Sequence, residues 1–283
     1  MYDSPASKQG SGTTATKTFS SLLKENKPII GAAISIGSVL CAQIVARSGF
    51  EWVLIDQEHA PTSPREATNL THAVVAASAG QCVPIIRVPS HGIEWIKWAL
   101  DSGAGGVIIP MVQSRKEAED IIQRAIYPPI GQRSFGPFLA PYADTDNSSD
   151  VGKYLSKRAR DLAIMPMIES VDGIKNAEEI LSVKGVTGCF IGPYDLRQSL
   201  GLAGGDGEES SFIEALEKVL EIGKRLGVHI GTVAATEVAS KRKTEMGFSF
   251  LLSGQDPNFL ASGAKASFQI CEKGRTAARA QKL

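Results

Sequence analysis

Ala163-Ile164-Met165-Pro166-Met167-Ile168-Glu169 and Thr187-Gly188-Cys189-Phe190-Ile191-Gly192, the second running on into Pro193-Tyr194-Asp195, are the stretches whose reading decides the fold. Each is a short apolar run of the length of a buried strand, and each leads to a carboxylate. Similar runs recur at 28–34, 51–56, 82–88, 105–110, 228–233 and 248–252. Helix-like segments lie near 38–48, 64–79, 92–103, 115–125, 171–184, 212–226 and 236–246, with a last one over 257–273. Eight strands each followed by a helix is the α/β pattern of a (β/α)8 or TIM barrel, which commonly fills about 250 residues as one domain. The 283-residue chain therefore reads as one barrel domain over 18–275. A disordered tail rich in Ser, Thr, Gly and Lys is expected over 1–17, and a flexible tail over 276–283.

Helix starts carry capping signals. Ser63-Pro64-Arg65-Glu66, Ser114-Arg115-Lys116-Glu117 and Ser211-Phe212-Ile213-Glu214 read as capping boxes, and Asp256-Pro257 as a cap followed by proline. Pro84 and Pro166 count against their runs as central strands, because proline removes a ladder donor. The segment 126–162 is long for a connection and is read as an active-site loop with a short helix near 151–161.

Lys+Arg and Asp+Glu are both 30, so the formal net charge is zero. No basic field would recruit nucleic acid or an anionic membrane. The uncharged stretch Pro28–Ala46 is long enough for a membrane span, but its glycines, serines and Gln43 favour a buried strand and helix. Cys41, Cys82, Cys189 and Cys271 lie far apart, neither a disulfide framework nor a zinc cluster, which fits a cytoplasmic setting. The ending Gln281-Lys282-Leu283 approaches a peroxisomal address without its small first residue, so peroxisomal import is a minor alternative. No Walker loop and no G-x-G-x-x-G after a strand occurs, which excludes an ordinary nucleotide cofactor. Gly204-Gly205-Asp206-Gly207 reads as a flexible loop rather than a phosphate nest.

A (β/α)8 barrel keeps its active site at the C-terminal ends of its strands. Strand 2 ends in Asp56-Gln57-Glu58-His59, strand 3 in Arg87, strand 5 in Glu169, and strand 6 leads to Asp195. Glu169 and Asp195 could hold one hard divalent cation, which takes one or two carboxylates together with substrate and water. Glu169 could instead cap its helix. Arg87 could form a structural ion pair with Asp56 or Glu58, but burying an arginine after two isoleucines favours a substrate role. His59 belongs with these residues to a kit for metal-assisted chemistry on a small anion, or is a surface histidine before the Ala60-Pro61 turn. His72 and His229 read as structural, and His91 as an unsupported loop residue.

These segments resemble the HpcH/HpaI family of metal-dependent (class II) pyruvate aldolases. The likeness is carried by Asp56-Gln57-Glu58-His59, Ile86-Arg87-Val88-Pro89, Ala99-Leu100-Asp101-Ser102-Gly103, Pro128-Pro129-Ile130-Gly131-Gln132-Arg133, Met167-Ile168-Glu169 and Ile191-Gly192-Pro193-Tyr194-Asp195-Leu196. It covers about residues 20–270 and implies a barrel of the phosphoenolpyruvate/pyruvate-binding type. It further implies reversible cleavage of a 4-hydroxy-2-oxo acid to pyruvate and an aldehyde, with oxaloacetate decarboxylation through the same enolate as the alternative. Glu169 and Asp195 would bind Mg2+, Mn2+ or Co2+, and the metal would chelate pyruvate. Arg87 would stabilise the enolate, backbone around Gly192 and Pro193 would hold the carboxylate, and His59 would move protons. Asp101 ends its helix at the opposite end of the barrel, so the resemblance implies that it serves the His59 of an adjacent subunit in a hexamer; it could otherwise be a plain helix-end carboxylate. Three departures alter the wall facing the second substrate. Ala33 stands where bacterial members often carry tryptophan, Met167 where they often carry glutamine, and Arg197 where serine is usual.

Overall fold

A computed structural model describes residues 15–25, 27–145 and 149–280. Eight parallel strands close into a barrel in sequence order. They are β1 Ile29–Ile34, β2 Trp52–Asp56, β3 Val83–Arg87, β4 Gly106–Ile109, β5 Ala163–Ile168, β6 Gly188–Ile191, β7 His229–Val233 and β8 Phe250–Gln255. Every expected strand is present. The helices are α1 Phe19–Leu23, α2 Val39–Ala46, α3 Pro64–Ala77, α4 Ile93–Asp101, α5 Arg115–Ala125 and α6 Val151–Ser156. They continue with α7 Val171–Lys175, α8 Ala177–Leu181, α9 Pro193–Ser199, α10 Ser210–Leu226, α11 Glu237–Met246 and α12 Asp256–Ala280. No helix among the described residues is long and apolar enough to cross a membrane.

The prolines sit where a ladder is open. Pairing of β5 with β6 begins at Met167, the residue after Pro166, and pairing of β3 with β4 begins at Ile86, past Pro84. Neither ring therefore removes a donor that those ladders use. The capping boxes at Ser63 and Ser114 form as expected. That at Ser211 does not: α10 starts at Ser210, two residues earlier than expected, after Glu209 and with no side-chain cap. Asp256 does not cap its own helix either. Its carboxylate accepts the N–H groups of Ser35 (2.8 Å) and Ile36 (3.2 Å), tying the loop after β1 to the start of α12.

The barrel interior is filled by large side chains, Trp52, Phe250, Phe190 and Met165 among them. α1 closes its lower end, with Phe19 edge-on to Trp52 (5.7 Å) and to Phe250 (5.2 Å). The filling dictates a glycine: a Cβ at Gly31 would lie 2.3 Å from the Trp52 ring. Gly31→Ala is expected to cost about 1–3 kcal/mol of stability through overpacking, read as a lowered denaturant midpoint.

The segment 126–162, expected to be an active-site loop, does not lie at the active-site end of its own barrel. It follows α5 and precedes β5, so it lies at the end where strands begin, and it carries α6 and short 3-10 turns at Ala140–Ala143 and Arg158–Arg160. Of the expected tail 1–17, residues 1–14 lie outside the described residues. Thr16 donates its hydroxyl to Asp144 at 2.5 Å, and the Lys17 N–H bonds to Gly80 O at 2.9 Å. Helix α12 runs to Ala280, beyond 257–273, and Gln281-Lys282-Leu283 lie outside the described residues. Asp256 is the one buried residue among those described in α12, leaving Leu260, Phe268 and Ile270 exposed at 65%, 66% and 72%.

Candidate active site

At the C-terminal ends of the strands a cavity of ≈ 360 Å³ opens among Ala33, Leu54, His59, Arg87, Met167 and Asp195, with Gly192, Pro193 and Tyr194 on one wall. The register of β2 and β3 places Asp56 beside Arg87. Arg87 Nε donates to Asp56 Oδ1 at 2.9 Å and Nη2 to Oδ2 at 2.8 Å, a planar fork on a carboxylate. Its Nη1 lies 3.2 Å from Glu58 Oε2, within ion-pair range but without hydrogen-bond geometry. Burial pushes the Asp56 carboxyl up, but the Arg87 hydrogen bonds and charge outweigh it and hold the carboxyl below its ordinary range. Glu58 is shifted upward, chiefly by burial. The Asp56 carboxylate also accepts the N–H groups of Glu58 (3.0 Å) and His59 (3.4 Å), shaping the turn that carries both. His59 Nε2 lies 3.7 Å from Glu58 Oε2, and the His59 side chain is 64% exposed at the cavity mouth.

Glu169 is 2% exposed and packs against Gly192 and Met167. A Cβ at Gly192 would come within 2.3 Å of Glu169 Oε2, so glycine is needed for this approach. Glu169 Oε1 accepts the Met111 N–H at 2.8 Å. Burial pushes the Glu169 carboxyl up to about 7, and the negative charges of Glu58 and Asp195 add to that shift. A carboxylate so placed is costly to ionise alone, and a divalent cation held by it and Asp195 would relieve that cost. No group of three or more His, Cys, Asp or Glu with metal-ligand spacing occurs among the described residues. Two carboxylates completed by substrate and water fit a hard divalent cation nonetheless.

The barrel thus brings together Asp56, Glu58, His59, Arg87, Met167, Glu169, Gly192, Pro193 and Asp195. Asp101 stands apart at the far end of α4, where it accepts from Arg133 Nη2 at 2.5 Å. His72 Nε2 contacts Ser102 O (3.0 Å), His91 Nε2 contacts Pro110 O (2.7 Å) and His229 Nδ1 contacts Ser249 Oγ (3.2 Å), none of them in the cavity. Gly192 donates its N–H to Ile168 O at 3.2 Å, and Pro193 has none, so these two shape the wall rather than supply donors.

Sequence reasoning missed Met111, whose φ of 52° turns its N–H toward Glu169. It also missed Gln255 and Asn258 on the cavity rim. The loop expected to be flexible at 204–207 is tied down. Arg197 donates to Glu209 (2.8 Å) and to Ala203 O (2.7 Å), and the buried Lys243 pairs with Asp206 at 3.0 Å. These contacts brace α9, the helix that carries Asp195.

Residues 35–262 match the model of the HpcH/HpaI aldolase/citrate lyase family. The 4-hydroxy-2-oxo-heptane-1,7-dioate aldolase of Escherichia coli is 33% identical over 252 residues, 88% of this chain and 92% of the relative. The hydroxypyruvate/pyruvate aldolase of Pseudomonas aeruginosa is 33% identical over 245 residues, 86% of this chain and 88% of the relative. The crystal structure of macrophomate synthase shares the fold with a TM-score of 0.80 at 27% identity, covering 93% of each chain.

Proposed function

The chain belongs to the HpcH/HpaI aldolase family of carbon–carbon lyases, and we propose that it reversibly cleaves a 4-hydroxy-2-oxo acid to pyruvate and an aldehyde with the help of a divalent metal. The observation that carries this reading is Arg87, held in a bidentate grip by Asp56 in the wall of a cavity that Asp195 also lines, with Glu169 buried beside Gly192 of the same wall. Glu169 and Asp195 would hold Mg2+, Mn2+ or Co2+, which would polarise the 2-oxo group and orient the acid.

Arg87 is fixed before substrate arrives. Its guanidinium supports the negative charge that gathers on the keto oxygen as the bond between C3 and C4 breaks. His59, at the cavity mouth beside Glu58, accepts the proton of the 4-hydroxyl and returns a proton to the methyl carbon of pyruvate. The N–H groups of Tyr194 and Asp195, in the first turn of α9, face no intrahelical acceptor and suit the substrate carboxylate. Cys41, Cys82, Cys189 and Cys271 are all free thiols, which suits work in the reducing cytoplasm. Supplied with a 4-hydroxy-2-oxo acid and metal, the enzyme is expected to release pyruvate. Decarboxylation of oxaloacetate without any such release would contradict the aldolase reading.

The exposed apolar residues of α12, together with Leu40 (64%) and Ile44 (59%) on α2, support a homo-oligomer, which we infer to be a hexamer. Asp101 would then serve His59 of a neighbour. Mixed oligomers of D101A and H59A subunits are expected to regain activity that neither variant shows alone. No recovery in verified mixed oligomers, or a fully active monomer by light scattering, would refute the shared site.

A further inference from the structure

The cavity extends beyond Asp195 in the first turn of α9. On the side of β8 and β1 it is lined by Ala33, Leu252, Gly254, Gln255 and Asn258. The strands set Ala33 opposite Gln255, and Ala33 contributes only a methyl group there. Gln255 and Asn258 are exposed. Their position is set by Asp256, 4% exposed, whose carboxylate bonds the backbone of Ser35 and Ile36.

The charges around this space are unbalanced. Among the described residues lining the cavity, Arg87 and His59 are the only basic side chains, and Arg87 is already paired with Asp56 and Glu58. Asp56, Glu58, Glu169 and Asp195 gather at the strand ends. Arg87 is therefore committed on both sides, and neither the end of β1 nor that of β8 adds a basic side chain to the lining. On this side an acceptor with a second carboxylate would meet a methyl group and neutral amides, with no guanidinium or ammonium to receive its charge. A hydroxyl suits the place, because a carboxamide both donates and accepts hydrogen bonds.

We propose that Gln255 and Asn258 form the acceptor subsite, and that it selects uncharged, hydroxylated aldehydes over aldehydes bearing a carboxylate. The proposal rests on the aldolase reading and names its second substrate. In the condensation direction the methyl carbon of the 2-oxo acid loses a proton and bonds to the aldehyde carbon, whose oxygen gains a proton. No oxidant or reductant is involved. Ala33 leaves room for the acceptor beside Gln255.

The test supplies the full-length protein with pyruvate, Mg2+ or Mn2+, and either glyceraldehyde or succinate semialdehyde. These are of similar size, and one ends in a hydroxyl, the other in a carboxylate. Glyceraldehyde is expected to have the higher kcat/KM by roughly tenfold or more, and Q255R to move that ratio toward succinate semialdehyde by a similar factor. Exchange of pyruvate methyl protons with D2O, measured without aldehyde, reports separately on the aldolase reading. Exchange accompanied by equal or better use of succinate semialdehyde, or by use of neither aldehyde, overturns the subsite while leaving the 2-oxo acid site standing. A ratio unmoved by Q255R removes Gln255 from it. Absence of exchange overturns the aldolase reading and the subsite together.

Discussion

Glu169→Gln and Asp195→Asn are each expected to remove metal-dependent turnover, by about 10³-fold or more at limiting metal. A bound cation supplies several kcal/mol of charge stabilisation, and a hard-cation site with two protein carboxylates does not tolerate losing one. The fold should survive both changes. Glutamine at 169 keeps an oxygen for the Met111 N–H and removes a carboxyl whose ionisation is opposed by burial and by Glu58 and Asp195. Thermal stability without metal is therefore expected to be unchanged or raised in Glu169→Gln. Added metal should raise the melting temperature of the parent protein and not of the variants, since a ligand that binds the native state stabilises it by mass action. Full activity of either variant at limiting metal would remove the assignment.

Arg87→Lys is expected to lower kcat on the order of 10²–10³-fold, the size found for losing one preorganised donor to developing negative charge. Lysine keeps the charge but not the fork. It can satisfy one oxygen of Asp56 and then has no fixed donor to offer the substrate, whereas Arg87 spans Asp56 with Nε and Nη2 and keeps Nη1 on the other side toward Glu58. The companion variant Asp56→Asn should lose less, because the arginine remains while its grip weakens. A loss of tenfold or less in Arg87→Lys would make Arg87 a positioning residue rather than one that acts on the reacting oxygen.

The eight strands are legible in the sequence because both faces of each are covered, so they read as continuous apolar runs rather than as alternations. The site follows from the same fact. Once strand ends are known, closure of the barrel brings Asp56, Arg87, Glu169 and Asp195 to one rim without any contact having to be guessed. What was not legible depends on long-range contacts or on unusual backbone. Pro193-Tyr194-Asp195 reads as the exit from a strand, yet it is the first turn of α9, a helix too short to show a period. Met111 is recruited by a positive φ that a non-glycine residue does not announce. Ser211 lost its expected capping role because the preceding Glu209 pairs with Arg197, an interaction between elements. The segment 126–162 connects a helix to a strand, and such a connection returns to the end opposite the active site.

The most direct test of the central claim is proton exchange at the methyl group of pyruvate, followed by NMR in D2O. The protein with Mg2+, Mn2+ or Co2+ is expected to replace those protons with deuterium, to stop when the metal is chelated, and to fail in Glu169→Gln. No exchange with any of the three metals, or exchange that persists under chelation and in Glu169→Gln, would contradict it.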